Sequence, residues 1–600
     1  MKKKTASKSK LPTLFDPNVI SNEIHSALCR DFVQAQHEYC LDDSTTLFAF
    51  NRQATELLKK YCSPGHDEDK LTLEAFEKFK ATNEHMGKVN ETLTGQLKYQ
   101  SPRVLASLDY EEKVHLRARA IMHFVLGHCE EEEWFQECKN SPGSSLGVSF
   151  ANTTPEKKFS LPLSTTESAE RMFWSYLSYD FMLKEAIYTM DSHKAHNGLW
   201  FDYVHASRAT TVDKSSTARR FIAVEPTCNM FLQQGLMEMM YRRMARVGLD
   251  VKSLPRMHRW LARVGSITGS LATIDWSSAS DCVSPVLLEW LLPRDWNSAI
   301  HMVRTPNTVI DGEVHELNMI STMGNATTFP LETLVFWTYA VAIWMTLETD
   351  SNSLFPEWED LKRCSVFGDD CILPTSIAPA YVEFMESVGF IVNKEKSYYG
   401  DERFRESCGG DYLCGYDVRP YYLKAPHSTR RSSLEPWLYI ITNALLQKYK
   451  SYFGELSYVY DKELWRVLFA LFKRFEIEIK LVPFDYPDDA GLKISHDIER
   501  FQNHYPMKLS RIDKGKHGTY RFLYCKFRYR NKQVRDEFLQ LALWMKHPSV
   551  STVTIDLDRN GQVRLPEEDV LFAPIRRLGG YIVAKGTSCH WHVPAVTPAS

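Results

Sequence analysis

Three carboxylates mark where chemistry could take place. Asp369 and Asp370 follow Gly368 between two short apolar runs, residues 364–367 and 371–373, a pattern that reads as strand, tight turn, strand with the acids at the tip. Gly368 supplies the backbone freedom that such a turn often needs. Asp275 ends a third apolar run, residues 270–274, which reads as a buried strand delivering a carboxylate at its tip. Taken alone, two aspartates at a turn are ordinary turn chemistry. If the Asp275 strand lies beside the hairpin, three carboxylates converge where water is partly excluded, and their repulsion makes the site costly without a cation. Hard oxygen donors suit Mg2+ or Mn2+ rather than zinc. Two such ions, ~4 Å apart, stabilise both the attacking and the leaving oxygen of a phosphoryl transfer.

The elements that must position these acids lie in an ordinary globular chain. Of 600 residues, 44% are hydrophobic and 24% charged, which excludes wholesale disorder and fibrous classes. A net charge of −3 gives no global basic signature, although a large protein can confine positive charge to one channel. Thirteen scattered cysteines without a CxxC pair argue against a disulfide framework or a zinc ribbon and for a reducing compartment. The basic start lacks the apolar stretch of a signal peptide. The most apolar segment, residues 333–347, is too short for a bilayer span of ~20 residues, so no membrane is expected. Residues 17–135 read as helical, 140–155 as a loop-rich stretch, and the segment after Pro285 as a helix.

An ordered set of motifs surrounds the acids. Arg-Phe-Ile-Ala-Val-Glu-Pro occupies 220–226 and Asn-Met-Phe 229–231; Ala-Thr-Ile-Asp-Trp-Ser-Ser-Ala-Ser-Asp runs from 272 to 281, followed by Leu-Leu-Pro at 291–293. Ser-Thr-Met-Gly-Asn stands at 321–325, Phe-Gly-Asp-Asp at 367–370 with Ile-Leu-Pro at 372–374, Phe-Arg-Glu-Ser-Cys-Gly at 404–409 and Gly-Tyr-Asp-Val at 415–418. On these blocks, over roughly residues 214–424, the chain resembles the RNA-directed RNA polymerases of positive-strand RNA bacteriophages, the levivirus replicase catalytic (beta) subunits.

The resemblance implies an α+β, right-hand polymerase with an antiparallel-sheet palm flanked by helices. Residues 1–100 would form an N-terminal helical extension, 101–258 fingers, 259–425 palm and 426–600 thumb and C-terminal region. Asp275 and Asp369 resemble the two palm ligands of Mg2+ (two ions, with Mn2+ able to substitute), and Asp370 the third, weaker one. Asp281 with Asn325 resembles the pair that senses the ribose 2′-hydroxyl; the other reading of Asp281 is a helix N-cap. Ser321, Thr322 and Gly324 resemble the mobile loop beneath template base and nucleotide, or a simple glycine turn. Lys214, Arg219 and Arg220 resemble fingers residues that hold the triphosphate, with Arg219 departing from the type. Lys396 resembles a palm lysine that protonates leaving pyrophosphate, and Lys394 is its rival. The implied partners are RNA template and product, ribonucleoside triphosphates, host elongation factors Tu and Ts and a small-subunit ribosomal protein, in the bacterial host's cytoplasm.

Outside that window, residues 508–535 carry ten Lys or Arg against one acid. Alternation over 520–530 reads as a strand with one aromatic and one basic face, on which Arg521, Lys526, Arg528 and Arg530 would track RNA; an amphipathic edge strand is the plainer alternative. Basic residues between Arg419 and Arg431 could line a product exit. Gly-Ser-Ser-Leu-Gly at 143–147 matches a hydrolase nucleophile elbow but follows an acidic helix-like run and Pro142 rather than a strand. Cys589, His590 and His592 lack a fourth matched ligand for a metal. A reverse transcriptase shares the palm but would use a bulky aromatic gate for the sugar, and a non-catalytic RNA-binding scaffold would not need intact acids.

Overall fold

The computed structural model describes residues 16–38, 44–62, 68–97, 108–141, 143–148, 153, 155–426, 428, 430–454, 461–493, 507–514, 519–529, 556–557, 563–564 and 579–588. The fold is α+β: long helices enclose several small, mostly antiparallel sheets.

The sheet that matters most has three strands, with Asp370–Pro374 in the middle, Leu271–Ile274 on one side and Ser365–Phe367 on the other, both antiparallel to it. Ala272, Thr273, Ile274, Val366, Cys371, Ile372 and Leu373 are all buried, as short continuous apolar strands covered on both faces must be. One cover is the helix Thr328–Leu347. Its only charged residue is Glu332, and an otherwise apolar circumference leaves it no solvent face, so it sits in the core.

That helix corrects the sequence reading. It begins five residues before the apolar run and reaches 20 residues, making it long and apolar enough to cross a bilayer; 83% of its most apolar window is instead buried within the protein. It packs against the helix Tyr110–Leu126, which opens on a capping box between Asp109 and Glu112. His115 and Arg117 on that helix bond Tyr339 Oη (2.9 Å) and Thr346 Oγ1 (3.0 Å).

A four-stranded sheet, in the order Ala218–Val224, Ser207–Ser215, Asn307–Ile310, Glu313–Glu316, flanks this core. The helix Glu68–Gln96 packs on it through Phe79, whose ring stacks on Phe221 at 3.6 Å between centroids. A second core joins the chain's beginning to its later part: Ile20, Ile24, Leu28 and Phe50 share it with Leu438, Tyr449, Trp465 and Phe472. Buried Asp31 fastens that junction by accepting from the N–H groups of Glu463 (2.7 Å) and Leu464 (2.9 Å) at a helix start and from Tyr449 Oη (2.9 Å).

Candidate active site

The register of the three-stranded sheet brings the acids together. Ile274 pairs with Cys371, so Asp275, one residue further, stands beside Asp370 at the sheet's end. Phe367 pairs with Asp370, leaving Gly368 and Asp369 as a two-residue turn. Gly368 has φ +62°, and a Cβ there would lie 2.7 Å from Phe329 Cε2, so both backbone and space require glycine. Its N–H donates to Thr333 Oγ1 at 2.9 Å. Asp369 is exposed, while Asp275 and Asp370 are half-buried.

The proximity shows in the electrostatics. Burial first, then the charges of Asp369 and Asp275, push the Asp370 carboxyl up to about 7, against an opposing hydrogen bond from the Cys408 N–H. Asp275 is raised by burial; Lys396, Asn393 and Lys214 oppose that rise, and Asp369 adds to it. The Asn393 amide donates to Asp275 Oδ2 at 2.7 Å, fixing the carboxylate's orientation. Asn393 carried no sequence signal, because its role depends on pairing between strands Trp276–Ser277 and Ile391–Val392, more than a hundred residues apart. Among the described residues no group of three or more His, Cys, Asp or Glu side chains is arranged to hold a metal ion; Asp369 is exposed at the turn, apart from the half-buried Asp275 and Asp370.

Cations flank the acids selectively. Lys396 is the largest charge acting on Asp275, whereas its rival Lys394 is exposed and is not among the main influences there. The Lys214 ammonium is lowered by burial and by Arg220, Lys396 and Lys78. Arg219 does not join this group: its guanidinium is held by Glu68 (3.1 Å) and Asp213 (3.5 Å) and donates to the Thr211 carbonyl. Adjacent strand residues point to opposite faces, so only one of Arg219 and Arg220 can face the acids. Lys78, on the N-terminal helix Glu68–Gln96, is a member of the cluster that the sequence did not disclose.

On the other side lies the segment Ala279–Asp281. Asp281 is not the helix N-cap; Ser284 takes that role, its hydroxyl accepting from the Leu287 N–H at 3.1 Å. Burial pushes the Asp281 carboxyl up to about 7, opposed by Lys78 and by the Met323 N–H, and its buried Oδ1 has no partner. The buried Ser321 hydroxyl likewise lacks one. Such orphaned polar atoms fit a hydroxyl-bearing ligand. Thr322 and Asn325 are buried; Asn325 Oδ1 accepts from the N–H (2.9 Å) and hydroxyl (2.8 Å) of Thr327. Gly324, at φ +114°, packs against the Ala223 carbonyl too closely for any side chain, and Ala223 N–H donates to the Met323 carbonyl at 2.8 Å. The loop is thus clamped to the strand that carries Arg220.

Away from this centre the sequence reading needs one correction. Strand Tyr520–Tyr529 forms, pairing along its whole length with Gly579–Ser588, but it has no single basic face. Exposed Arg521 and Lys526 are five positions apart and so lie on opposite faces, and Phe522 and Cys525, also on opposite faces, are both buried. Of the other two candidates, the Arg528 side chain and Arg530 lie outside the described residues, as do Cys589, His590 and His592. Ser145 is buried and hydrogen-bonded to Thr227 Oγ1 (2.8 Å) in an isolated bridge rather than a strand-to-helix elbow.

The family described as RNA replicase, beta-chain, matches residues 14–441 of the chain. Over 421 residues, 68% of the chain, it is 30% identical to the RNA-directed RNA polymerase subunit beta of Enterobacteria phage SP, covering 68% of that protein. It is 31% identical over 383 residues to the RNA-directed RNA polymerase subunit beta of Escherichia virus Qbeta (63% of this chain, 59% of that one). It is 33% identical over 306 residues to the RNA-directed RNA polymerase beta chain of Enterobacteria phage GA (50% and 53%). The matched stretches span from about half to two thirds of these relatives' lengths.

Proposed function

The chain belongs to the RNA replicase beta-chain family, and from that premise we propose that it is an RNA-directed RNA polymerase, joining ribonucleoside triphosphates on an RNA template with release of pyrophosphate. The observation that carries this reading is the pairing of Ile274 with Cys371, which sets Asp275 beside Asp370 and the Asp369 turn. In this reading residues 259–425 are the palm of a right hand, 101–258 its fingers and 426–600 its thumb.

The donor set suits hard divalent cations: three carboxylates, oxygen-only, two of them raised partly by the charge of Asp369. Asp275, Asp369 and, more weakly, Asp370 would hold Mg2+, two ions in the palm reading. When bound, the metal supplies Lewis-acid stabilisation of phosphate oxygens. The protein's own groups do the rest. Asn393 keeps the Asp275 carboxylate oriented. Lys214 and Arg220, both exposed at this edge, bind and orient the triphosphate. Lys396 holds a proton at Nζ beside Asp275, available to the departing pyrophosphate. Asp281 and Asn325 select the ribose hydroxyl: a buried oxygen without a partner is satisfied by a 2′-hydroxyl and left unpaired by a deoxynucleotide. Ser321, Thr322 and Gly324 support the base. RNA template and product, host elongation factors Tu and Ts, a small-subunit ribosomal protein and the host cytoplasm complete the proposal.

The test offers the purified chain an RNA template and Mg2+ with labelled ribonucleotides or deoxynucleotides, with and without bacterial elongation factors. Ribonucleotide incorporation is expected. Preference for deoxynucleotides would make it a reverse transcriptase, and incorporation of neither would leave an RNA-binding scaffold.

A further inference from the structure

Glu332 is a carboxyl that the mechanism above does not use. It is the only charged residue of the apolar helix Thr328–Leu347, is 3% exposed, and accepts a hydrogen bond from Ser280 Oγ at 3.0 Å. Ser280 directly precedes Asp281 in the segment Ala279–Asp281, which follows Ser278 at φ +53°, a conformation a non-glycine residue holds only when its surroundings impose it. The residue after Glu332, Thr333, accepts the Gly368 N–H at 2.9 Å and donates to the Phe329 carbonyl at 2.8 Å. Phe329, one turn earlier, lies against Gly368. One buried helix therefore grips the ribose-side segment with one residue and the carboxylate turn with the next.

We infer that Glu332 is a positioning residue for sugar selection: through Ser280 it holds Asp281 at a fixed place relative to the Asp369 turn, which Thr333 anchors. The inference rests on the polymerase reading and deepens it. Burial, with Asp369 and Asp281 nearby, also keeps the Glu332 carboxyl well above the ordinary carboxylate range. Its contribution is therefore a directional hydrogen bond within a packed helix, a device that fixes position at low cost when fully satisfied.

Selectivity for ribonucleotides over deoxynucleotides, as the ratio of kcat/KM values, reads this role. Glu332→Ala is expected to lower that ratio by about tenfold, mainly by raising KM for the ribonucleotide, as expected for loss of one buried hydrogen bond. Glu332→Gln retains an acceptor for Ser280 and keeps the ratio. Ser280→Ala lowers it by the same factor, and the double variant goes no lower, because both changes break one link. Equal loss of activity toward both sugars in Glu332→Ala, or additive effects on the ratio in the double variant, overturns the inference. Should Glu332→Ala fail to fold by circular dichroism, Ser280→Ala decides alone, and an unchanged ratio there overturns it. A wild-type chain that incorporates neither sugar sinks the polymerase reading and this inference with it. A wild type that prefers ribose while Ser280→Ala keeps that preference sinks this inference only.

Discussion

Replacing Gly368 by alanine should damage the site more than any other single methyl group added to the chain's carboxylate turn. Two costs combine. The backbone at φ +62° is disfavoured for an L-residue by about 1–2 kcal/mol. The new Cβ would stand 2.7 Å from Phe329 Cε2, where ordinary carbon contacts begin near ~3.5 Å, and relieving such overpacking costs roughly 1–3 kcal/mol. Phe329 cannot yield freely, since its ring lies 4.8 Å from that of Phe367 in an edge-on contact. The expected destabilisation is about 2–5 kcal/mol. Part of it will be relieved by moving the turn, and a displacement of Asp369 approaching ~1 Å lowers kcat by about 100-fold. Ribonucleotide incorporation at saturating substrate, alongside a thermal melt, measures both. Adding Phe329→Leu should return part of the steric cost and none of the dihedral cost. A Gly368→Ala chain with wild-type kcat and wild-type melting would refute the argument that this turn is sterically determined.

Other outcomes follow from the site's charges. Lys396→Ala should slow incorporation by about 10²–10⁴-fold, the range for loss of a general acid, while Lys394→Ala should change it little, by single-turnover kinetics. Arg220→Ala should raise KM for the nucleotide severalfold, whereas Arg219→Ala should lower the melting temperature and leave KM alone, since Arg219 is committed to Glu68 and Asp213. Glu225 is buried, accepts from Thr305 Oγ1 and Gln233 Nε2, and is pushed by burial up to about 7. Its folded form keeps a proton that an unfolded Glu, near ~4.3, loses, so its stabilising effect is complete at low pH and declines as pH rises to about 7, by about 3 kcal/mol. Glu225→Gln keeps the polar contacts without the titration; urea melts at several pH values should show wild type losing stability against it between pH 4.5 and 7.5, and a constant difference would contradict the assignment.

The acids were legible because each sits at the end of a short apolar run, and Gly368 announced the turn between two of them. Their convergence was a conditional reading, and only the Ile274–Cys371 register realises it. Contacts made between distant segments left no trace: Asn393 on Asp275, Lys78 near Asp281 and Glu332 on Ser280 depend on tertiary placement rather than spacing. The packing of Ile20–Phe50 residues with Tyr449 and Trp465 was hidden for the same reason, because an amphipathic helix does not name its partner. Two misreadings were matters of parity. Arg219 and Arg220 cannot share a strand face, and the alternation in Tyr520–Tyr529 changes phase near Cys525, so its cations divide between faces. The central helix was underestimated because Pro330 and Glu332 interrupt its apolar run, although a proline in the first turn is compatible with a helix.

Asp369, alone at the exposed tip of the turn, is the residue on which the polymerase reading most depends. The measurement is templated incorporation of labelled ribonucleotides by the full chain with Mg2+ and bacterial elongation factors, wild type against Asp369→Asn, both shown folded by circular dichroism. Template-dependent RNA is expected from the wild type and none above background from the variant. RNA made equally well by Asp369→Asn would contradict that reading.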